Sequence, residues 1–317
     1  MNKITKLLLM LLMSIMTVSV FAEDAVIDGI IYVLDDETSE AFVVMNSDNP
    51  YSGDITIPET VDYNDKTYSV TSIYDNAFYF CSDLTSVTIP NSVKTIGRTA
   101  FYGCLALTSI TIPNSVADIS DSAFGNCPSL ESIVVEDGNP VFDSRDNCNA
   151  IIETETNTLL AGCKSTVIPN SVTTIARAAI ANSSGMTSVT IPNSVKKIHD
   201  FAFYDCTGLT SVISLIEEPF EINENTFYNW VGDHDEFTTA TLYVPAGTKE
   251  KYESTPAWNK FANIVESIEN AVKSVETDAK AEETERYNIG GQRISSPQKS
   301  LNIVKMSDGT TRKVMCK

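Results

Sequence analysis

Cysteine is the residue type whose spacing in this chain first suggests chemistry. Cys81, Cys104, Cys127 and Cys206 each stand three residues after a phenylalanine that follows an alanine, at Phe78, Phe101, Phe124 and Phe203. A nucleophilic thiolate needs a partner base and an exposed, electropositive setting. A metal centre needs its ligands clustered at short spacing. The two histidines, His199 and His234, lie far from any such cluster, and the sequence has no HExxH, GxSxG, CxxC or phosphate-binding glycine loop. The acidic run Glu136-Asp137-Gly138-Asn139, with Asp143 and Asp146, has oxygens to offer calcium but lacks the DxDxDG spacing and the closing glutamate. It reads as a solvated loop. We therefore expect no enzyme, no cofactor and no metal, and expect the four equivalent cysteines to be buried thiols that pack as small apolar side chains.

Cys148 and Cys163 are placed differently. They flank an apparent hairpin, Ile151-Ile152 against Leu159-Leu160, symmetrically about its turn, so a cross-strand disulfide is geometrically plausible. Cys163 also aligns with Leu84, Leu107 and Leu130, where a buried thiol would suffice. Both readings stay open. Cys316 has no evident mate.

The element that positions these residues is a repeat. Ile-Pro-Asn-Ser-Val recurs at residues 89–93, 112–116, 168–172 and 191–195, in steps of 23, 56 and 23. A fixed period in the twenties predicts a solenoid, whose coils bury their faces against one another. The fold class expected is mainly β: a leucine-rich repeat solenoid of 23-residue repeats, with a parallel sheet on one side and short irregular or 3-10 returns. Leu84, Val87 and Ile89 point inward, Pro90 ends the strand, and Val93, Ile96, Ala100 and Phe101 line the return. On this register the 56-residue step is one ordinary coil plus one expanded by a hairpin insertion near residues 139–162. Coils then end their strands near Ile57, Ile89, Ile112, Val135, Ile168, Ile191 and Ile213.

The same alternation turns Ser86, Thr88, Ser109, Thr111, Ser132, Val134, Ser188, Thr190 and Ser211 outward, a hydroxyl-rich stripe that is the candidate binding face. Its bland reading is a solvated sheet and its sharper one a contact surface for a protein or a glycan. The stripe lacks the tryptophan, tyrosine and arginine that anchor tight interfaces. Aromatic residues gather instead in the returns (Tyr79, Phe80, Tyr102, Tyr204, Tyr228, Trp230), where they could rim a binding edge.

Along the chain we read a signal peptide over residues 1–22, an N-terminal cap over 23–56, the solenoid over 57–215, a C-terminal cap over 216–265, an acidic linker over 266–286 and a small β module over 287–317. Lys3 and Lys6 precede an apolar run with small residues at its exit, the pattern of an exported chain that loses its leader. No later stretch is apolar enough to span a membrane. The formal charge of −20 becomes −22 without the leader and argues against nucleic acid or anionic membrane as partner. The expected partner is a protein, with a glycan as the alternative, bound by a monomer at the cell surface or outside the cell.

The phrases LTSVTIPNSVKTIGRTAFYGC at residues 84–104 and LTSITIPNSVADISDSAFGNC at 107–127 resemble the BspA-like leucine-rich repeats of bacterial surface proteins. The expanded repeat at 139–172 is similar to a variant of that family, and ATLYVPAGTKEKY at 240–252 to the way such arrays end. Departures are local: Ile180 stands for the phenylalanine of one repeat, Thr226 for an alanine and Met186 for a leucine. The resemblance implies an adhesin that contacts host extracellular-matrix proteins, such as fibronectin or fibrinogen, or other cells. The runner-up is a glycan-binding or scaffold protein of the bacterial surface. Residues 287–317 resemble C-terminal modules of exported Bacteroidetes proteins, including those read by the type IX secretion system, although Ser300 stands where that pattern has glycine.

Overall fold

The computed structural model describes residues 23–120 and 122–266, together with the backbone of strands Glu283–Tyr287, Leu301–Met306 and Thr311–Met315. The expected leader, residues 267–282 of the expected linker, and residues 288–300, 307–310 and 316–317 of the C-terminal module lie outside the described residues. The chain divides into two compact units, 1–266 and 267–317.

Each coil of the first unit has three sides. One side is a strand, at Gly53–Thr56, Leu84–Thr88, Ser109–Ile112 and Ser132–Val135, and again at Ser188–Ile191, Ser211–Ser214, Thr241–Val244 and Ile264–Glu266. Pairing is parallel and one coil apart, as in Ser109 with Ser132 and Ser188 with Ser211. Val87, Ile110, Ile112, Ile133 and Val189 face inward and are buried. A second side follows the proline turn. There Thr95–Ile96 pairs in parallel with Asp118–Ile119, continuous with Glu40–Val43 and Lys66–Ile73, and in a separate sheet Thr174–Ile175 pairs in parallel with Lys197–Ile198. The sequence predicted strands on one side only. A two-residue strand is too short to leave an alternating signature, so the second ladder escapes pattern reading.

The third side is the Ala-Phe turn. Its alanine and phenylalanine pack inward, and the rings stack along the array: Phe78 on Phe101 at 4.9 Å, Phe101 on Phe124 at 5.3 Å and Phe203 on Phe227 at 5.1 Å, each within 5° of parallel. The turn thiols are buried, and three of them tie neighbouring coils. Cys104 Sγ donates to the Phe78 carbonyl at 3.2 Å, Cys127 to Phe101 at 3.1 Å and Cys206 to Ile180 at 3.2 Å.

At the N-terminus the cap begins with a hairpin, Glu23–Ile27 with Ile30–Asp35. Asp28 (φ 50°) and Gly29 (φ 83°) supply the two left-handed positions of a type I′ turn, which favours an Asp-Gly pair. At the other end Ser214, not Ile213, occupies the inward place of the last repeat, because the register pairs Ile191 with Ser214. Ser214 is fully buried and shares a 2.6 Å hydrogen bond with the Tyr252 hydroxyl, which donates to the Ile216 carbonyl at 2.8 Å. The helix Lys249–Ser254 and the 3-10 turn Trp258–Lys260 then close the last coil.

The expanded repeat carries the antiparallel hairpin Ala150–Glu153 with Thr158–Gly162. Its first strand is buried on both faces. Ile151 belongs to the core of the N-terminal coils, whereas Ala150 and Ile152 belong to that of the C-terminal coils. Alternation along a strand sends successive side chains to opposite sides, so the hairpin is a partition between two cores. Cys163 lies in the first core and Cys148 in the second, and they are separate free thiols with their own acceptors, Asn149 O at 3.5 Å and Ala150 O at 3.7 Å. The symmetry that made a bridge plausible is symmetry about the turn, and the partition sets the two sulfurs on opposite faces.

The second unit contains three antiparallel strands in the order Glu283–Tyr287, Leu301–Met306, Thr311–Met315. Its first strand starts inside the stretch expected to be linker. Acidic composition suggested a linker, yet backbone pairing of Arg286 with Val304 and Tyr287 with Ile303 extends the strand into it.

Candidate binding surface

The stripe expected from the sequence exists but is not continuous. Thr88, Ser109, Thr111 and Thr190 are exposed, Ser86, Ser132, Ser188 and Ser211 half-buried, and Val134 is 44% exposed. Register sets Ser109 beside Ser132 and Thr111 beside Val134. In the expanded coil the strand place is taken by an irregular segment, which separates this part of the stripe from Ser188, Thr190 and Ser211. Val167 there is 68% exposed, so the middle of the face is apolar. At its start Ser86 and Thr85 donate to Asp54 Oδ1 at 2.6 and 2.8 Å, and these bonds hold the Asp54 carboxyl below the usual carboxylate range. In the last coil Ile213 takes the outward register position opposite Thr190, yet it is buried.

The turn side presents a different chemistry. Five of the turns hold two left-handed residues four apart: Asn76 and Phe80, Thr99 and Gly103, Ser122 and Asn126, Ala178 and Asn182, Phe201 and Asp205. Glycine, asparagine and aspartate suit that conformation, whereas a bulky aromatic there is strained by about 1–3 kcal/mol. Phe80 (φ 52°) and Phe201 (φ 61°) are such residues, and neither is buried. Phe80 packs edge-on against Tyr79 and Tyr102, and Tyr79 stacks on Tyr102 at 5.7 Å. Gly103 and Gly125 make room for this. A Cβ on either would meet the ring of Phe80 or Tyr102 at 2.9 Å. Beyond the partition Phe201 packs edge-on to Tyr204, whose hydroxyl donates to Asp235 at 2.8 Å. Trp230, 54% exposed, is held through its backbone N–H to Asp205 at 3.0 Å. The edge therefore carries rings on both sides of the partition. Sequence composition pointed to most of them; Phe201 was missed, since its role depends on a backbone conformation no residue pattern encodes.

The six buried thiols offer no nucleophile. Burial pushes Cys206 up to about 12 and Cys148 up to about 11, and raises Cys81; Cys104 is raised by the neighbouring Cys127 thiol and by burial. His234 is exposed, its two ring nitrogens 3.0 Å from Asp233 and 2.9 Å from Glu236. Among the described residues no group of histidine, cysteine and carboxylate side chains is arranged to hold a metal, and no helix is long and apolar enough to cross a membrane.

Six copies of the BspA type leucine rich repeat region match residues 59–159 and 150–231, more than half of the 317 residues. The chain belongs to the BspA-type leucine-rich repeat family. Proteins of this family are bacterial surface proteins, generally binding or scaffold proteins rather than enzymes, and leucine-rich repeats typically bind proteins. Solved structures with a similar repeat include the Treponema pallidum leucine rich repeat protein, 26% identical over 57% of this chain and 67% of that one, with a TM-score of 0.34. A leucine rich cell surface protein of Faecalibacterium prausnitzii is 18% identical over 80% and 97%, with a TM-score of 0.33. A leucine-rich repeat protein of Bacteroides ovatus is 20% identical over 76% and 88%, with a TM-score of 0.25. At such scores the superpositions carry no argument, and the family assignment rests on the repeat match. No curated protein matches this BspA-type chain.

Proposed function

We propose that this BspA-type protein is exported, displayed at the cell surface or released, and acts as an adhesin for a protein partner of the host matrix or of another cell. The observation that carries the reading is Phe80, 47% exposed and strained at a place where glycine or asparagine would be relaxed, next to Tyr79 at 39%. Strain retained at an exposed aromatic is better explained by contact than by folding, and large rings are the residues that anchor protein interfaces. The turn that carries these rings leads directly into the strand side, so the stripe Ser86, Thr88, Ser109, Thr111, Ser132 and Val134 would supply the broad, hydroxyl-rich part of the same contact. Ser188, Thr190 and Ser211 would extend it beyond the partition. Each patch is small, and repeated modest contacts would add through avidity. Residues 1–22 would direct export and 287–317 sorting to the surface.

The test is capture of fibronectin, fibrinogen and collagen by the purified protein. Binding that falls at least tenfold in Phe80→Asn with Trp230→Ala, and less in Thr88→Glu with Thr111→Glu, supports an edge-anchored adhesin. Binding to none of the three, with retention on an immobilised polysaccharide unaffected by the edge substitutions, favours a glycan-binding scaffold. For sorting, unchanged surface display after deletion of 287–317 overturns that part.

A further inference from the structure

The partition replaces one aromatic turn with a β-strand, and a gap in the turn side results. It forms a notch of about 220 Å³ between the last turns of the N-terminal coils and the first turns of the C-terminal coils. Tyr102 and Gly125 line it from one stack; Arg177, Asn182, Phe201 and Tyr204 line it from the other. The Arg177 guanidinium lies 5.2 Å from the Phe201 ring centre and has no hydrogen bond or ion pair among the described residues. Arg98 and Arg145, the other arginines with described side chains, are each paired with an aspartate. Phe201 bears the second strained left-handed backbone of the turn side, and its ring is what supports the arginine.

We propose that this notch is a binding site for one neutral pyranose ring, at the end of a glycan or along it. The volume is below the roughly 300–1,000 Å³ of a drug-sized pocket, so it takes one ring and excludes a helix or a strand. Aromatic walls from two directions match the C–H faces of a sugar, while Arg177 and Asn182 present donors to its hydroxyls and Asn182 an acceptor from them. The strongly acidic surface disfavours anionic ligands, which selects neutral sugars. The site stands apart from the adhesin contact at Phe80 and Trp230, so either can fail without the other.

The experiment is saturation-transfer NMR on the full mature chain with methyl glycosides of glucose, galactose, mannose and N-acetylglucosamine, and with methyl glucuronide as the charged comparison. The expected result is transfer to ring C–H protons of at least one neutral glycoside, with affinity weakened tenfold or more by Phe201→Asn, by Arg177→Ala and by Ala181→Phe, which fills the notch. Phe201→Asn relaxes the backbone, so its thermal midpoint should equal or exceed that of the parent, and loss of binding there is not misfolding. Three results would each overturn the proposal: no transfer to any neutral glycoside, binding that survives both Phe201→Asn and Ala181→Phe, or preference for the glucuronide.

Discussion

The coils on either side of the partition use one repeat but end their aromatic rows differently. In the N-terminal stack Tyr79 and Phe80 face outward and Tyr102 lies across the next turn, while the Phe78–Phe101–Phe124 row lies inside with Tyr51 packed on its first ring. In the C-terminal stack the row continues as Phe203 and Phe227 and then runs into Trp258, Phe261, Phe237 and Tyr252, which close the end of the array. Trp258 and Tyr252 are fully buried. The same residue class thus closes the C-terminal end with a cluster of rings and furnishes exposed rings along the turn edge. A terminal coil must cover its apolar face; an interior coil has neighbours on both sides, and its rings are free to turn outward.

The largest expected effect breaks the seal. Trp258→Ala removes a ring packed against Tyr252, Phe227 and Phe261 and the indole hydrogen bond to the Phe220 carbonyl at 2.9 Å. Loss of about 3–5 kcal/mol is expected. Urea titration measures it, and hydrogen exchange should show protection falling in residues 188–266 before 84–135. Equal loss in both stacks would mean that the partition does not separate them.

Next in size are Ile151→Ala and Ile152→Ala, adjacent residues in different cores. Each should destabilise by about 2–5 kcal/mol. Exchange should quicken mainly in residues 96–135 for the first and in 168–198 for the second. The same pattern from both would abolish the distinction between the cores.

Much of this was legible in the sequence, and the limits have physical causes. Ile-Pro-Asn-Ser-Val fixes the register because proline can end a strand but not continue its ladder, so each copy marks a corner. The apolar run Ala150-Ile151-Ile152 announces a strand buried on both faces, but which core each side chain enters depends on contacts far along the chain. Ile213 misled because an apolar residue at a plausible spacing looked like a strand end, while Ser214 could be inward only with Tyr252 to satisfy it. The stripe followed from alternation alone; its interruption and the notch arise where the inserted hairpin displaces a turn, a tertiary effect.

A smaller effect concerns the outward rings. Phe80→Asn places a residue suited to φ 52° in a left-handed position and should leave stability unchanged or raise it by about 1 kcal/mol, read as a rise of a few degrees or less in the thermal midpoint. The equivalent exchange at Phe101, whose stacked ring is fully buried, should instead cost about 3–5 kcal/mol. If both substitutions destabilised alike, the outward rings would belong to the core after all.

The smallest is a pH effect confined to the N-terminal stack. Hydrogen bonds from Ser86 and Thr85 depress Asp54 in the folded protein, so their stabilisation is present above its unfolded value near 3.9 and is lost as pH falls through the lower folded value. Asp54→Asn should therefore lower the thermal midpoint slightly at pH 6 and cease to matter near pH 2. A difference that grows toward low pH would show that the assigned sign is wrong.

The partition also bears on how such arrays change over time. Each stack ends against the wall on one side and against its own cap on the other. A 23-residue coil gained or lost within either stack moves that stack's outer end, while the wall and the turns beside it keep their places. Tyr102 and Phe201 would stay opposite each other when the coil is gained or lost farther from the wall than their own turns, and the distance from them to Phe80 or Trp230 would then alter by whole coils. The array can thus vary its reach in fixed steps while the central notch is inherited unaltered.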